Sequence, residues 1–171
     1  MMYGTLIYMP VNDQVLMVKK SEGGRDPNAG CNTLPGGKLE AHEKGGNPKG
    51  RLERAVLECQ QETGLTPINP KLRGIILFDN KERNFRSFSN SIDYMVYVFV
   101  STEYTGTMVE KGDGGELPFL APKTEIPKLH KNAGDNKIYE WLKDGRTFMG
   151  IIKHHGEEID ELGTFVEYFQ P

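Results

Sequence analysis

Two acidic residues on one predicted helix, Glu58 and Glu62, have the types and the spacing to do chemistry. The helix is predicted over residues 48–63, because apolar residues recur at helical spacing, no internal proline interrupts them and a glycine follows. The two acids lie one helical turn apart, so they share a face and repel each other. The flanking positions supply no cation: they are Leu57, Gln60 and Gln61. We therefore expect a hard divalent cation to neutralise the two carboxylates.

A glycine turn precedes this helix and brings backbone close to the same region. It consists of Pro35, Gly36 and Gly37, and glycine allows a close approach to a ligand because it has no Cβ. Glu43 follows in a loop rich in glycine and lysine. One acid in a loop leaves three alternatives open: it holds metal, braces the loop or is simply solvated.

Residues 34–65 resemble the sequence box of the Nudix hydrolases, a glycine and a glutamate followed at fixed spacing by a helical run of arginine and glutamates. The matching residues are Gly37, Glu43, Glu58, Cys59, Glu62, Gly64 and Leu65. The segment between Glu43 and Leu57 is longer than in the family, and Leu57 stands where the family has arginine. Gln61 replaces the first of two paired glutamates, so its amide oxygen is a weaker metal ligand than a carboxylate.

The resemblance implies a Mg²⁺-dependent hydrolase, with Mn²⁺ as a second possible ion, that cleaves a nucleoside triphosphate to nucleoside monophosphate and pyrophosphate. Such ions neutralise charge on the phosphates and lower the pKa of bound water. The implied catalytic acids are Glu58, Glu62 and Glu116, with Glu58 or Glu116 accepting the proton of the attacking water. The implied metal ligands are Gly37 through its carbonyl, Glu58, Gln61, Glu62 and Glu116.

The late part of the chain is similar to the MutT-type branch, which acts on oxidised purine nucleoside triphosphates such as 8-oxo-dGTP. The order of Asp135-Asn136, Trp141 and Phe148-Met149-Gly150 carries this similarity. It implies that Thr5, Lys19 and Asp135 lie in the substrate pocket. The full set of implied substrate-binding residues is Thr5, Lys19, Thr33, Lys38, Asp135 and Asn136.

Other interpretations of these residues remain open. The changes at Leu57 and Gln61 favour a catalytically weak nucleotide-binding or regulatory domain, whereas the long loops at residues 44–54 and 104–115 favour a nucleotide-sugar or dinucleotide pyrophosphatase. Glu116 shares its loop with other acids, and loops are usually polar. The pair Lys19 and Lys20 is equally consistent with a solvated strand end.

Composition narrows the class of protein and its partners. A chain of 171 residues predicts one domain over residues 1–171, and a net charge of −3 argues against a nucleic-acid polymer as partner. Cys31 and Cys59 are too few for a disulfide framework, and Cys59 falls on the apolar side of its helix. No apolar run is long enough to span a membrane. We expect a soluble, cytoplasmic protein that binds a small nucleotide, and its oligomeric state is not predicted.

The remaining elements are predicted from patterns of β-formers and breakers. Residues 3–9 and 14–19 predict an N-terminal hairpin, residues 71–79 a buried strand and residues 92–102 a central strand. Residues 104–116 predict a long loop, and a strand is expected on each side of a turn near residues 155–156, with a third over residues 164–169. The helix around residues 138–142 is expected to be capped by Asp135 or Asn136.

These elements predict an α/β (α+β) fold of the Nudix type, a mixed sheet sandwiched between helices. The helix that carries the acids is expected on one side and the helix near residue 140 on the other. Three charged residues near the start of the first helix, Arg51, Glu53 and Arg54, are expected to face water. His154 and His155 are expected to be solvated hairpin residues.

Overall fold

The computed structural model describes residues 1–22, 28–39, 48–82, 93–155 and 158–170. Its strands, in chain order, are β1 (Met2–Tyr8), β2 (Pro10–Val11), β3 (Gln14–Lys19), β4 (Asn32–Thr33), β5 (Gly36–Lys38), β6 (Leu65–Ile68), β7 (Lys71–Glu82), β8 (Tyr94–Val100), β9 (Glu103–Gly106), β10 (Leu117–Pro122), β11 (Thr147–His155), β12 (Glu158–Ile159) and β13 (Phe165–Phe169). Its two α-helices in these ranges are α1 (Pro48–Thr63) and α2 (Asp135–Leu142), and a single 3-10 turn covers Ile126–Lys128. Neither helix is long and apolar enough to cross a membrane.

The largest sheet is mixed and is built around β8. Its strand order is β12-β11-β7-β8-β1-β5, with β13 also paired to β11. β8 is antiparallel to β7 and parallel to β1, and its residues 96–99 are buried. A strand covered on both faces needs apolar side chains on both, which is why this run of β-branched and aromatic residues lies at the centre. The predicted central strand is confirmed, as are the strands of the C-terminal tail.

The N-terminal strands β1 and β3 belong to two different sheets, so the predicted hairpin holds only at its tip, where β2 pairs with the start of β3, and the pairing of the rest of residues 3–9 with residues 14–19 is wrong. β1 pairs with β5 and β8, whereas β3 pairs with β2, β4 and β10 in a second sheet. The chain crosses between the sheets at Met9, whose carbonyl accepts a hydrogen bond from the Leu16 N–H at 3.0 Å. β1 already makes hydrogen bonds on both edges, which leaves no free edge for β3.

A third, two-stranded sheet was not predicted. β6 follows α1 directly and pairs antiparallel with β9, so residues 103–106 are strand where a loop was expected. Pro67 lies within β6, and an edge strand tolerates a proline because one side of it makes no ladder bonds. The pairing brings the start of the segment from residue 107 to residue 116 next to the end of α1.

Two hydrophobic cores lie on the two faces of the largest sheet. α1 packs on one face through Ala55 and Cys59, and burial raises the pKa of the Cys59 thiol to about 12. α2 packs on the other face, where the Trp141 and Phe148 rings meet edge to face at 5.8 Å. The predicted sandwich of a mixed sheet between two helices is therefore confirmed, as is the role of Cys59 as a small buried residue.

Two local predictions are wrong: the capping of α2 and the exposure of His154. The helix begins at Asp135 after Gly134, which already has helical backbone angles, and neither Asp135 nor Asn136 caps it with its side chain. A turn from Asn132 leads into the helix instead, since the Asp135 N–H donates to the Asn132 carbonyl at 3.1 Å. His154 is only 1% exposed and stacks on the ring of Phe78 at 6.2 Å, while His155 is exposed as expected.

Candidate active site

Glu58 and Glu62 both reach the glycine turn from the same face of α1. A Cβ built on Gly37 would overlap the carboxyl group of Glu58, so only glycine leaves room for this acid. The Gly36 N–H donates a hydrogen bond of 2.9 Å to Oε2 of Glu62. Helical spacing thus presents two carboxylates to the turn, and the expected convergence of these elements is confirmed.

Glu62 is held in an environment that disfavours its charge. The residue is 4% exposed, and burial raises the pKa of its carboxyl to about 7. The Lys20 ammonium and the Gly36 N–H oppose this shift, while the nearby Glu116 carboxylate adds to it. A buried carboxylate of this kind requires a cation close by.

Cations do lie beside both acids, contrary to the expectation from their sequence neighbours. The Arg54 guanidinium pairs with Oε1 of Glu58 one turn along the helix, and the Lys20 ammonium pairs with Oε1 of Glu62. The expectation that Arg51 and Arg54 face water is wrong, since Arg51 lies over the Tyr97 ring at 4.4 Å from its centroid. Both arginines contact largely buried partners, whereas Glu53 is exposed as expected.

Glu116 joins the two helical acids from a different part of the chain. β10 and β3 are antiparallel with Leu117 opposite Lys19, so Glu116 comes next to Lys20. The distance from Lys20 Nζ to Glu116 Oε1 is 3.9 Å. Among the described residues, no hydrogen-bond partner reaches the buried Oε2 of Glu116.

The segment before Glu116 is fastened to the C-terminal end of α1. The Val109 N–H donates to the Thr63 carbonyl and the Asp113 N–H donates to the Gln61 carbonyl, each at 3.0 Å. These bonds satisfy helix carbonyls that would otherwise lack partners. They also fix the position from which Glu116 enters the site.

Lys20, and not the predicted Lys19, is the lysine that lies beside the acids of the site. Side chains alternate along β3, so Lys19 shares a face with Met17 and Lys20 points to the opposite face, toward α1. Lys19 instead pairs with Glu22 at 3.2 Å near the surface. The alternation of side chains along β3 predicts that the two lysines point to opposite faces. Which of them points to the acids depends on where α1 packs, and the sequence does not give that.

The remaining predicted residues are distributed more widely. Gln61, Lys38 and Asn136 are exposed, and Glu43 lies outside the described residues. Thr33 stands opposite Val18, whereas Asn32 stands opposite Lys19 and donates to the His130 carbonyl at 3.0 Å. The β3–β4 register therefore brings Asn32 rather than Thr33 next to Lys19.

Thr5 and Asp135 do not share a pocket in this fold. Thr5 is buried between Tyr3 and Ile7 on the α1 face of β1, and in the described part of the chain no partner reaches its hydroxyl. Asp135 begins α2 on the opposite face. Burial, and after it the charge of Asp135, raises the pKa of Tyr139, whose hydroxyl donates to the Met17 sulfur at 3.1 Å.

The chemistry of the donors fits a hard divalent cation. Two carboxylates reach the glycine turn, and one buried oxygen of a third, Glu116, has no hydrogen-bond partner among the described residues. Within those same ranges, no three His, Cys, Asp or Glu side chains form a ready metal site by themselves. Carboxylate oxygens are the ligands that hard divalent cations prefer in proteins.

Comparisons with known proteins agree with the motif and the fold. The chain is 28% identical over 138 residues to the uncharacterised Nudix hydrolase YvcI of Bacillus subtilis, a match that covers 81% of this chain and 77% of that protein. Its sequence is 27% identical to that of a mutator MutT protein from Bacillus halodurans. The two folds superpose with a TM-score of 0.74, and the match covers 98% of each chain. No protein-family model matches the sequence.

A third similarity concerns the fold alone. The Nudix domain of Shewanella oneidensis NrtR, solved in complex with ADP ribose, is 10% identical, with a TM-score of 0.61 over 84% of this chain and 86% of that chain. Its likeness extends to the mixed sheet and its helices. In its sequence box, its architecture and these two closer similarities, this chain is similar to the Nudix hydrolases.

Proposed function

We propose that the protein is a Mg²⁺-dependent pyrophosphohydrolase that converts a nucleoside triphosphate to the monophosphate and pyrophosphate, preferring an oxidised purine such as 8-oxo-dGTP. The observation that carries the proposal is that Glu58 and Glu62 reach a glycine turn from one helix, while Glu116 comes close to Glu62 from another part of the chain and shares the Lys20 ammonium with it. The similarity to the Bacillus halodurans MutT protein supports the choice of substrate class. Mn²⁺ is proposed as a second ion that the same oxygen ligands accept.

The three acids are proposed to have different tasks. A divalent cation held here by Glu58, Glu62 and the Gly37 carbonyl, with Gln61 and Glu116 at its margin, would neutralise phosphate charge and make bound water more acidic. Glu62 is oriented by the Gly36 N–H and Glu58 by the Arg54 guanidinium. Because Oε2 of Glu116 has no hydrogen-bond partner among the described residues, we propose Glu116 as the base that accepts the proton of the attacking water.

The base of the nucleotide is proposed to bind on the α2 side of β3. Lys19 and Asp135, implied by the family resemblance, lie on that side, and the β3–β4 register adds Asn32 to them. Amide, ammonium and carboxylate groups together can read both donors and acceptors on a purine edge. Four further residues remain proposed contacts with other parts of the nucleotide: Thr5, Thr33, Lys38 and Asn136.

The test is release of pyrophosphate from a panel of triphosphates that includes dGTP and 8-oxo-dGTP, with Mg²⁺, with Mn²⁺ and with a chelator. We expect turnover only with metal, a preference for the oxidised purine, and a loss of about a hundredfold or more in kcat for Glu62→Gln. The matched control is Glu53→Gln, the same change at an exposed position of the same helix.

Turnover by Glu62→Gln equal to that of the wild type would contradict the proposal. Turnover in the presence of the chelator would contradict its metal dependence. Equal rates on dGTP and 8-oxo-dGTP would leave the hydrolase in place and refute the preferred base.

A second candidate is Mg²⁺-dependent binding of a nucleotide with little turnover. It is favoured by the ion pairs that already occupy Glu58 and Glu62 and by the neutral, exposed Gln61. ADP-ribose belongs in the same panel, because the Nudix domain of NrtR binds it. Tight binding of any panel member without its hydrolysis would favour this candidate, and hydrolysis of ADP-ribose alone would redirect the proposal to nucleotide sugars.

A further inference from the structure

Lys20 occupies the place between two acids where a metal ion would act. Its ammonium pairs with Oε1 of Glu62 and lies 3.9 Å from Oε1 of Glu116. The side chains of all three residues are largely buried, at 14% exposed for Lys20, 5% for Glu62 and 13% for Glu116. A buried lysine between two carboxylates neutralises part of their negative charge, as a bound cation would.

We infer that Lys20 is an internal counter-cation that competes with the divalent metal for Glu62 and Glu116 and leaves them when the metal binds. The inference rests on the metal site of the proposed function. It concerns a positioning residue, because Lys20 acts through the two acids that it holds.

The charge balance of the site supports this exchange. Among the described residues, the cations that pair with the carboxylates of Glu58, Glu62 and Glu116 are those of Arg54 and Lys20, so these five side chains carry one negative charge in excess when all three acids are ionised. Adding a divalent cation while Lys20 stays would reverse the sign and place two cations a few ångströms apart in a region of low dielectric constant. If Lys20 leaves, the three carboxylates, the guanidinium and the divalent cation sum to zero.

The neighbouring lysine provides a matched control for this residue. Lys19 is adjacent in sequence but points to the other face of β3 and pairs with Glu22, whose side chain is 80% exposed. Methionine has nearly the volume of lysine and no charge, so Lys20→Met removes the competing cation without opening a cavity. Lys20→Arg keeps the charge.

The experiment is a titration with Mn²⁺ alone, without nucleotide, followed by isothermal calorimetry or by the electron paramagnetic resonance of free Mn²⁺. We expect Lys20→Met to bind Mn²⁺ about tenfold more tightly than the wild type, while Lys19→Met and Lys20→Arg keep the wild-type Kd within about twofold. We also expect the Tm of Lys20→Met to lie below that of the wild type without metal and to rise more than the wild-type Tm when Mn²⁺ is added.

An unchanged or weaker Mn²⁺ affinity in Lys20→Met would overturn the inference, because a lysine that only braces Glu62 would help metal binding. If Lys20→Met does not fold without metal, the same Mn²⁺ titration is made with Lys20→Gln, and the same outcomes support or overturn the inference. A wild-type protein that binds no Mn²⁺ would overturn both this inference and the proposed function. Tighter binding by Lys20→Met together with no hydrolysis on any panel member would sustain the inference and refute the hydrolase.

Discussion

At the scale of single residues, the central problem is how three carboxylates are accommodated in a partly buried place. Each has a different solution: Glu58 has the Arg54 guanidinium, Glu62 has a backbone N–H and an ammonium, and Glu116 shares that ammonium at a longer distance. Ion pairing offsets the loss of hydration only when the partners are held in place. Arg54 thus supplies the cation that pairs with Glu58. The resemblance implies that the family places its arginine at the position of Leu57 instead.

The first prediction at this scale concerns Arg54. Replacing it in Arg54→Gln leaves Glu58 without its cation, so we expect the free energy of unfolding to fall by roughly 1 kcal/mol and kcat to fall about tenfold. Leu57→Gln is the control, since Leu57 is 41% exposed. Chemical denaturation and the pyrophosphate assay check both effects. Wild-type kcat in Arg54→Gln would show that the pair does not position Glu58.

How far the sequence predicts these residues depends on how local their contacts are. The convergence of Glu58 and Glu62 on the glycine turn was predicted correctly because helical periodicity and glycine chemistry are local properties. The pair of Arg54 with Glu58 has the i to i+4 spacing and was within reach of charge patterning. The contact of Lys20 with Glu62 joins different elements, and only the packing of β3 against α1 creates it.

At the scale of elements, the segment of residues 107–116 positions Glu116 by binding to the end of α1. Gly64 ends the helix with a φ of +78°, and the amides of Val109 and Asp113 then satisfy helix carbonyls. The sequence predicted the helix end and the acid, but it could not predict the docking. The short strands β6 and β9 that begin this arrangement carry a proline and exposed residues, and each gives a weak strand signal.

The prediction at this scale is that Gly112→Ala separates Glu116 from the site while the fold remains. A Cβ on Gly112 would lie 2.6 Å from the Glu62 carbonyl oxygen, and because that atom belongs to helix backbone the loop must move instead. We expect kcat to fall about tenfold or more and the Tm to change by only a few degrees. The control is Asp113→Ala, which removes the other nearby acid and keeps the backbone N–H.

Pyrophosphate release and thermal unfolding measure these two effects. A larger loss of activity in Asp113→Ala than in Gly112→Ala would reassign the role of Glu116 to Asp113. Equal, wild-type activity in both variants would show that the segment takes no part in catalysis.

At the scale of the whole molecule, the two cores are joined through shared strands. β8 contributes Val96 and Val98 to the α2 side and Tyr97 and Phe99 to the α1 side. We therefore propose that residues 1–171 form one domain, since neither core has a complete sheet of its own. The mixed architecture was predicted from the family resemblance. The placement of β1 and β3 in different sheets was not predicted, because residue patterns do not specify strand partners.

The prediction for the whole molecule concerns the packing of α2. A Cβ on Gly150 would overlap the Trp141 ring, so Gly150→Ala overpacks this core. We expect the free energy of unfolding to fall by roughly 1–3 kcal/mol, with kcat of the folded protein unchanged because the acids lie on the other face. Urea unfolding and the pyrophosphate assay are compared with Met149→Ala, a neighbour that is 49% exposed. A large loss of kcat at full folding would show coupling between the two faces.

The antiparallel register of β10 with β3 limits which insertions and deletions the protein tolerates. Glu116 and Lys20 meet because each directly follows or precedes a strand whose pairing is fixed by Leu117 opposite Lys19. Gaining or losing one residue in either strand would shift the pairing and turn the affected side chains to the opposite face. Length variants in these two strands would therefore inactivate the protein even where the altered position lies far from any acid, and in this molecule strand length is itself a functional constraint.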